Sequence, residues 1–432
     1  MKLLSHADLA FDELLKELAR PTASLTPYRK EVRPLIEQVR REGDSALFRL
    51  TRRFDGIELT RIRVPRTHIE SASVDLSQDC ISSLRQAASN IRRFHRETAS
   101  LPSPVIEVRP GVRCQKLIRP LKSVGLYVPS GSAPLVSTLL MLAIPAQLAG
   151  VVRIAVCTPP GPDAQPHPAI LAACHLLGIG EVYSVGGAQA IAALAYGTES
   201  IAPVYKITGP GNAYVMAAKA VVASDPQGAT IDFLAGPSEL MILADASASA
   251  LFVAADLLSQ AEHDPLSRVV LLSTSRELIA SVRKSINRQL KALPRREIAK
   301  HALDSSSLVW VEDLQQAVEL ANAWAPEHLS IQIREPEALI EQVACAGSVF
   351  LGPYAPETVG DYCSGVNHVL PTGGAARTRG GVSVATFQKT MTVQCLTSEG
   401  LAGLRKTATT LARLEGLEAH ARAVEVRFEE GP

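Results

Sequence analysis

At 432 residues, 47% of them apolar, the chain exceeds one ordinary core and predicts two or three domains. Lys+Arg 44 against Asp+Glu 43 leaves a net charge of +1, and aromatics are 4%. That composition offers no basic surface for nucleic acid, no stacking platform for single strands and no polybasic membrane segment. The opening Met1-Lys-Leu-Leu-Ser-His-Ala-Asp8 lacks an apolar signal core and a small-residue cleavage site, which points to a cytoplasmic protein.

In chain order, residues 1–24 read as a short polar tail ending near Pro21. Residues 29–54 and 76–99 carry apolar positions at helical spacing, the first ending at the Phe54-Asp-Gly56 turn signal. The uncharged run from Ser123 to Val152 is interrupted by Pro129, Pro134, Pro145 and Gln147. It therefore reads as a buried strand, loop and helix rather than a membrane span. Strand patterns follow at 124–128, 151–157, 181–185 and 204–207, separated by helical ones at 169–177, 188–195 and 213–223. The alternation resumes with strands at 269–272, 308–311, 329–333 and 349–351 and helices at 276–293, 313–324 and 336–345. Such alternation predicts parallel βαβ units, hence two α/β sheets, one within 123–237 and one over 240–352. Beyond 381 the pattern is mixed and ends in a basic and apolar helix at 402–423. Cys80, Cys114, Cys157, Cys174, Cys345, Cys363 and Cys395 are scattered without a C-x-x-C spacing, as expected of reduced, buried thiols.

The chemistry concentrates in the C-terminal half. Gln260 and His263 stand three apart in Leu258-Ser-Gln-Ala-Glu-His-Asp264, which reads as helix, so both would share one face. With Asp361 after Gly360, and His420 in the tail, they supply nitrogen and oxygen donors for a divalent metal. A solvated or core histidine is the ordinary alternative, and the same donors also suit manganese or iron. Glu327 and His328 follow a proline at a helix end and are candidates for proton transfer; a surface turn is the plainer reading. Three Gly-rich turns end successive strands: Tyr127-Val-Pro-Ser-Gly131, Gly186-Gly-Ala-Gln189 and Thr208-Gly-Pro-Gly-Asn212. Each is ordinary turn geometry by itself, but three on one sheet point to a nucleotide cofactor. Neither a G-x-G-x-x-G after the first strand nor a G-x-x-x-x-G-K-[ST] occurs.

Taken together, these segments resemble histidinol dehydrogenase over nearly the whole chain. The likeness is carried by Gly125-Leu-Tyr-Val-Pro-Ser-Gly131, Gly209-Pro-Gly-Asn212, Ala235-Gly-Pro-Ser-Glu239, Leu257-Leu-Ser-Gln-Ala-Glu-His263, Ala325-Pro-Glu-His-Leu329 and Gly360-Asp-Tyr-Cys-Ser-Gly-Val-Asn-His368. The resemblance implies two incomplete Rossmann-like domains with tail segments, in an intertwined homodimer. It divides the chain into a tail (1–24), a domain with the metal and acid/base residues (25–122 plus 238–380), an NAD-contacting domain (123–237) and a C-terminal tail reaching the partner (381–432). It further implies oxidation of L-histidinol to L-histidine through the aldehyde with NAD, in the cytoplasm, with one zinc per subunit. By the same resemblance Gln260, His263, Asp361 and His420 are zinc ligands, and Glu327 and His328 are the acid/base pair. Ser238, His368 and Glu415 match substrate contacts, to which His328 and the metal ligands add; Tyr127, Gln189 and Asn212 match NAD contacts. Glu415 and His420 would complete the partner's site. Segment 375–383 departs from the pattern in being basic and glycine-rich. Three alternatives remain at this level: a related zinc- and NAD-dependent dehydrogenase of another small hydroxy compound, a metal-dependent hydrolase using Glu327, and a non-catalytic zinc-binding or scaffold protein.

Overall fold

Short apolar runs buried on both faces become the strands of two parallel sheets, the usual outcome where helices cover each side. The computed structural model describes residues 1–20, 25–100, 103–130 and 133–429. The chain divides into two units, Met1–Ala99 with Leu121–Phe387, and Ser100–Pro120 with Gln388–Pro432. Both parallel sheets belong to the first.

The five-stranded sheet runs Val182–Ser184, Arg153–Thr158, Ser123–Tyr127, Lys206–Thr208, Thr230–Ile231. The first strand in sequence thus lies beside the fourth, the reversal at which wound sheets open a crevice. Alternation sends Val124, Leu126 and Val156 into one core and Tyr127, Ala155 and Cys157 into the other. The six-stranded sheet repeats this winding in the order Lys2–Ser5, Ser307–Trp310, Arg268–Ser273, Glu239–Ala244, His328–Gln332, Ser348–Leu351. Its reversal lies between Glu239–Ala244 and His328–Gln332, with His328 opposite Leu240.

Several expectations are corrected. Residues 1–24 are more than a tail: Lys2–Ser5 is the edge strand of the larger sheet, and helix Phe11–Glu17 buries Leu14 against its core. Pro21 lies outside the described residues. Segment 25–122 does not stay with 238–380. Helix Thr26–Asp55 packs Val32, Ile36 and Leu47 with Ile191 and Val215, and Ile91 of helix Gln78–Glu97 joins Leu139 and Leu142. The reason is that helices Val136–Ala149 and Gly187–Tyr196 are apolar nearly all round, so each needs a second layer outside it. Residues Ile106–Arg109 and Val112–Pro120 form an antiparallel sheet with Gln388–Leu396 in the second unit. The stretch expected as helix 336–345 is a 3₁₀ segment, Pro336–Gln342. The one expected over 402–423 is two helices, Ser398–Leu414 and Glu418–Glu425, separated near Gly416 at φ +74°. Among the described residues, no helix is long and apolar enough to cross a membrane. All seven cysteines are free. Cys157 and Cys174 are buried, and burial pushes their thiols up, the reverse of an activated nucleophile; Cys80 and Cys395 are exposed rather than buried.

Candidate active site

Helix Leu314–Trp324 ends at Ala325, whose φ of +55° is unusual for a residue with a side chain, and Pro326 then turns the chain into strand His328–Gln332. Glu327 and His328 therefore stand at the amino end of the larger sheet, whereas wound sheets usually place sites at carboxyl ends. The link 232–238 accounts for this. It joins the carboxyl end of Thr230–Ile231 in the smaller sheet to the amino end of Glu239–Ala244 in the larger.

One peptide organises both side chains. The Glu239 N–H donates to Glu327 Oε2 at 2.8 Å, and the Glu239 carbonyl accepts from His328 Nδ1 at 3.0 Å. Since Nδ1 faces a carbonyl it carries the proton, so the other nitrogen, Nε2, is left to act. Nε2 is buried, has no hydrogen-bond partner and lies 3.6 Å from Asp361 Oδ1. Burial pushes the Glu327 carboxyl up to about 8, against the opposing pull of His328. For His328 burial works the other way, but Glu357 (Oε1 3.5 Å from Nδ1), Glu327 and Asp361 together hold its pKa well above the ordinary imidazole range. Glu357 is itself raised by burial, and Asp361 is lowered, its burial outweighed by His328.

The expected metal ligands are partly gathered here. Gln260 lies in the last turn of helix Ala250–Ala261, which packs on helix Glu357–Tyr362. Its Oε1 is buried without a partner. His263 does not share that helical face: the helix stops at Ala261, and His263 sits in the following turn, solvent-exposed at its edge. Surrounding protein still lowers its pKa, while the Asp361 charge pulls it up. Asp361 is on the short helix Glu357–Tyr362. Atoms of His328, Glu357 and Asp361 all fall within 4.8 Å of one another. An unpaired amide oxygen, an unpaired imidazole nitrogen and two carboxylates suit a divalent cation.

Both ring nitrogens of His368 are hydrogen-bonded within the chain. Nδ1 donates to the Asp361 carbonyl at 2.7 Å, and Nε2 accepts from Thr138 Oγ1 at 2.9 Å, in keeping with a pKa lowered by burial. Ser238, half-buried, directly precedes Glu239. Glu415 and His420 belong to the second unit, both exposed. Sequence reasoning missed Glu357 and Glu239. Glu357 stands one helical turn before Asp361, an i,i+4 signal that was available. Glu239 acts through its peptide, which side-chain patterns do not encode.

A second group surrounds the reversal of the smaller sheet. Gly209 has φ +124°, and a Cβ there would lie 2.1 Å from the Tyr127 carbonyl oxygen. Asn212 caps helix Ala213–Ala223, its Oδ1 accepting from Tyr214 and Val215 N–H at 3.1 Å, and it is exposed. Tyr127 and Gln189 are buried. The Tyr127 hydroxyl accepts from Gly187 N–H at 3.1 Å, and burial pushes its pKa up to about 12. Gly131 and Ser132 of the first turn lie outside the described residues. A tight turn at a strand end with a helix amino terminus beside it is the backbone form that accepts a dinucleotide phosphate.

Comparison with known proteins bears on this geometry. The family model described as Histidinol dehydrogenase matches residues 18–428. The histidinol dehydrogenase of Xylella fastidiosa (strain Temecula1) is 48% identical over 434 aligned residues, covering 100% of each chain. That of Aliivibrio fischeri is 51% identical over 399, covering 92% of this chain and 90% of its own. The crystal structure of histidinol dehydrogenase from Elizabethkingia anophelis superposes with a TM-score of 0.96 at 41% identity, covering 99% of this chain and 98% of that one. The chain therefore belongs to the histidinol dehydrogenase family of oxidoreductases in histidine biosynthesis, and it is an enzyme of that family.

Proposed function

We propose that the chain oxidises L-histidinol to L-histidine in two NAD-dependent steps at the Glu327–His328 pair. The observation that carries this reading is the doubly held pair itself: one peptide fixes Glu327 Oε2 and His328 Nδ1, leaving Nε2 unpaired beside Asp361. A primary alcohol becoming a carboxylate loses two hydrides and gains one oxygen from water. His328 Nε2 takes the hydroxyl proton in the first half. Glu327 takes a proton from water as its oxygen adds to the aldehyde carbon, and His328 takes the hydrate proton in the second. Gln260, His263 and Asp361 would hold zinc, with His420 of a second copy of the chain as the fourth ligand. Bound there, zinc would anchor the substrate imidazole and amine and would oppose the carboxylates that raise the His328 pKa, and NAD⁺ would be the hydride acceptor. Tyr127, Gln189 and Asn212 would frame the NAD site, and Ser238, His368 and Glu415 the substrate.

A homodimer with shared sites is supported by exposed apolar side chains around the residues left open. In the second unit Leu414, 81% exposed, and Leu417 flank Glu415; in the first, Val359 and Tyr362 are exposed on the Asp361 helix and Tyr354 shortly before it in the chain. A second metal reading also has an observation behind it, the close set His328, Glu357 and Asp361. In that case His328 is a ligand and cannot serve as base. Absorbance of NADH with histidinol and NAD⁺, with and without chelator, tests the activity. Metal content of His328→Asn decides between the two sets: retained metal supports the base role, and lost metal supports the ligand role.

A further inference from the structure

The N-terminal segment sends one side chain beneath the acid/base pair. The guanidinium of Arg20 uses four of its five N–H groups within the first unit. Nε and Nη2 grip both oxygens of the Glu239 carboxylate, Nη2 at 2.7 Å from Oε2. Nη1 donates to the Trp324 carbonyl at 2.8 Å and Nη2 to the Ala325 carbonyl at 3.2 Å. The guanidinium also lies over the Trp324 ring, 3.8 Å from its centre. Arg377, from the basic segment that departs from the family pattern, donates to the Ala323 carbonyl, so two arginines close the last carbonyls of helix Leu314–Trp324.

These contacts converge on the two supports of the site. Glu239 is the residue whose peptide holds Glu327 and His328, and Ala325 is the left-handed residue that aims Pro326-Glu-His328. The Glu239 carboxylate is buried, and among the described residues Arg20 is its ion-pair partner. Arg268 is near, but its guanidinium is engaged by the Ala19 and Glu17 carbonyls. Without Arg20, a buried carboxylate would be left at the root of the strand that grips the pair. A lysine brings charge but not the planar fork that spans a carboxylate and two carbonyls.

We propose that Arg20 is a positioning residue for the acid/base pair. Through Glu239 it fixes the peptide that holds Glu327 Oε2 and His328 Nδ1, and through Trp324 and Ala325 it holds the turn that presents them. The inference rests on the proposed roles of Glu327 and His328. The experiment compares Arg20→Met, Arg20→Lys, Glu239→Gln and the Arg20→Met/Glu239→Gln double variant in the zinc-loaded enzyme. Arg20→Met is expected to lower kcat at least tenfold, with metal stoichiometry and KM for histidinol within about twofold. Added guanidinium ion should restore part of that rate, and the double variant should be no slower than the slower single one. If Arg20→Met does not fold, Arg20→Lys carries the test, with kcat expected to fall at least threefold at unchanged metal content. Unchanged kcat, a fall that tracks metal loss, or additive losses without guanidinium rescue would each overturn the proposal. Glu327→Gln and His328→Asn run alongside: full activity in both would overturn the acid/base reading instead.

Discussion

Glu327 is buried, its pKa is raised to about 8, and one oxygen is already engaged by the Glu239 N–H. Glutamine keeps an acceptor for that N–H but cannot take a proton from water. Glu327→Gln is therefore expected to slow oxidation of histidinaldehyde by about 100-fold or more, within the range of general-base effects. Oxidation of histidinol to the aldehyde should stay within about threefold. Comparing single turnovers on the two substrates checks this; equal slowing of both would reject the division of labour. Gln260 makes the metal argument from the opposite direction. Its buried, unpaired Oε1 is a liability to the metal-free chain, of order 1 kcal/mol, unless a cation meets it. Gln260→Met should thus leave the chelated protein as stable as wild type or about 1 kcal/mol more so, while abolishing most of the melting-temperature gain on adding zinc. A full zinc-dependent gain in that variant would remove Gln260 from the ligand set.

At the scale of elements, the turn at Gly209 concentrates the cofactor argument. Lys219 Nζ donates to the Gly209 carbonyl at 2.8 Å and pairs with Asp232, which in turn accepts from the Gly209 N–H at 2.9 Å. Held from both sides, the turn has no room to yield. A Cβ at this position meets the backbone oxygen of Tyr127 rather than a movable side chain, at a φ that alanine strongly disfavours. Gly209→Ala is expected to raise KM for NAD⁺ at least tenfold while metal content is kept; an unchanged KM in folded protein would detach this turn from the cofactor. The sequence pattern made such turns visible because glycine and strand periodicity are local. It also revealed most strands of both sheets, whose apolar runs lie between clear turn signals. Glu239–Ala244 was missed although Glu239-Leu-Met-Ile-Leu-Ala244 is the same kind of unbroken apolar run, the mark of a strand buried on both faces. The helices at 26–55 and 78–97 were recognised, but not which sheet they cover, since an amphipathic stripe does not name its partner. Likewise, Gln260, His263, Glu327, His328 and Asp361 stood out as donor types in short motifs. Arg20 and the Glu239 peptide did not, because their contacts cross 219 positions of sequence for Arg20 and 88 and 89 for the peptide.

At the scale of the whole molecule, the proposed zinc set still needs its fourth ligand. Gln260, His263 and Asp361 lie in the first unit, whereas His420 and Glu415 are exposed on the second, beside the open apolar surface of Leu414 and Leu417. If two copies exchange their C-terminal helices, each site draws ligands from both chains. Two variants that are inactive for different reasons should then complement each other. His263→Asn damages the ligand supplied by the chain holding Glu327, and His420→Asn damages the one supplied by its partner. In a mixed dimer both lesions fall in one site and leave the other whole. Random pairing of equal amounts makes about half the dimers mixed, each with one sound site of two, so about a quarter of wild-type activity should return after co-refolding. Each variant refolded by itself should stay inactive. If the mixture also stays inactive, with mixed dimers demonstrated by tagging, all four ligands come from a single chain. If His420→Asn is active without any mixing, the C-terminal histidine is no ligand at all.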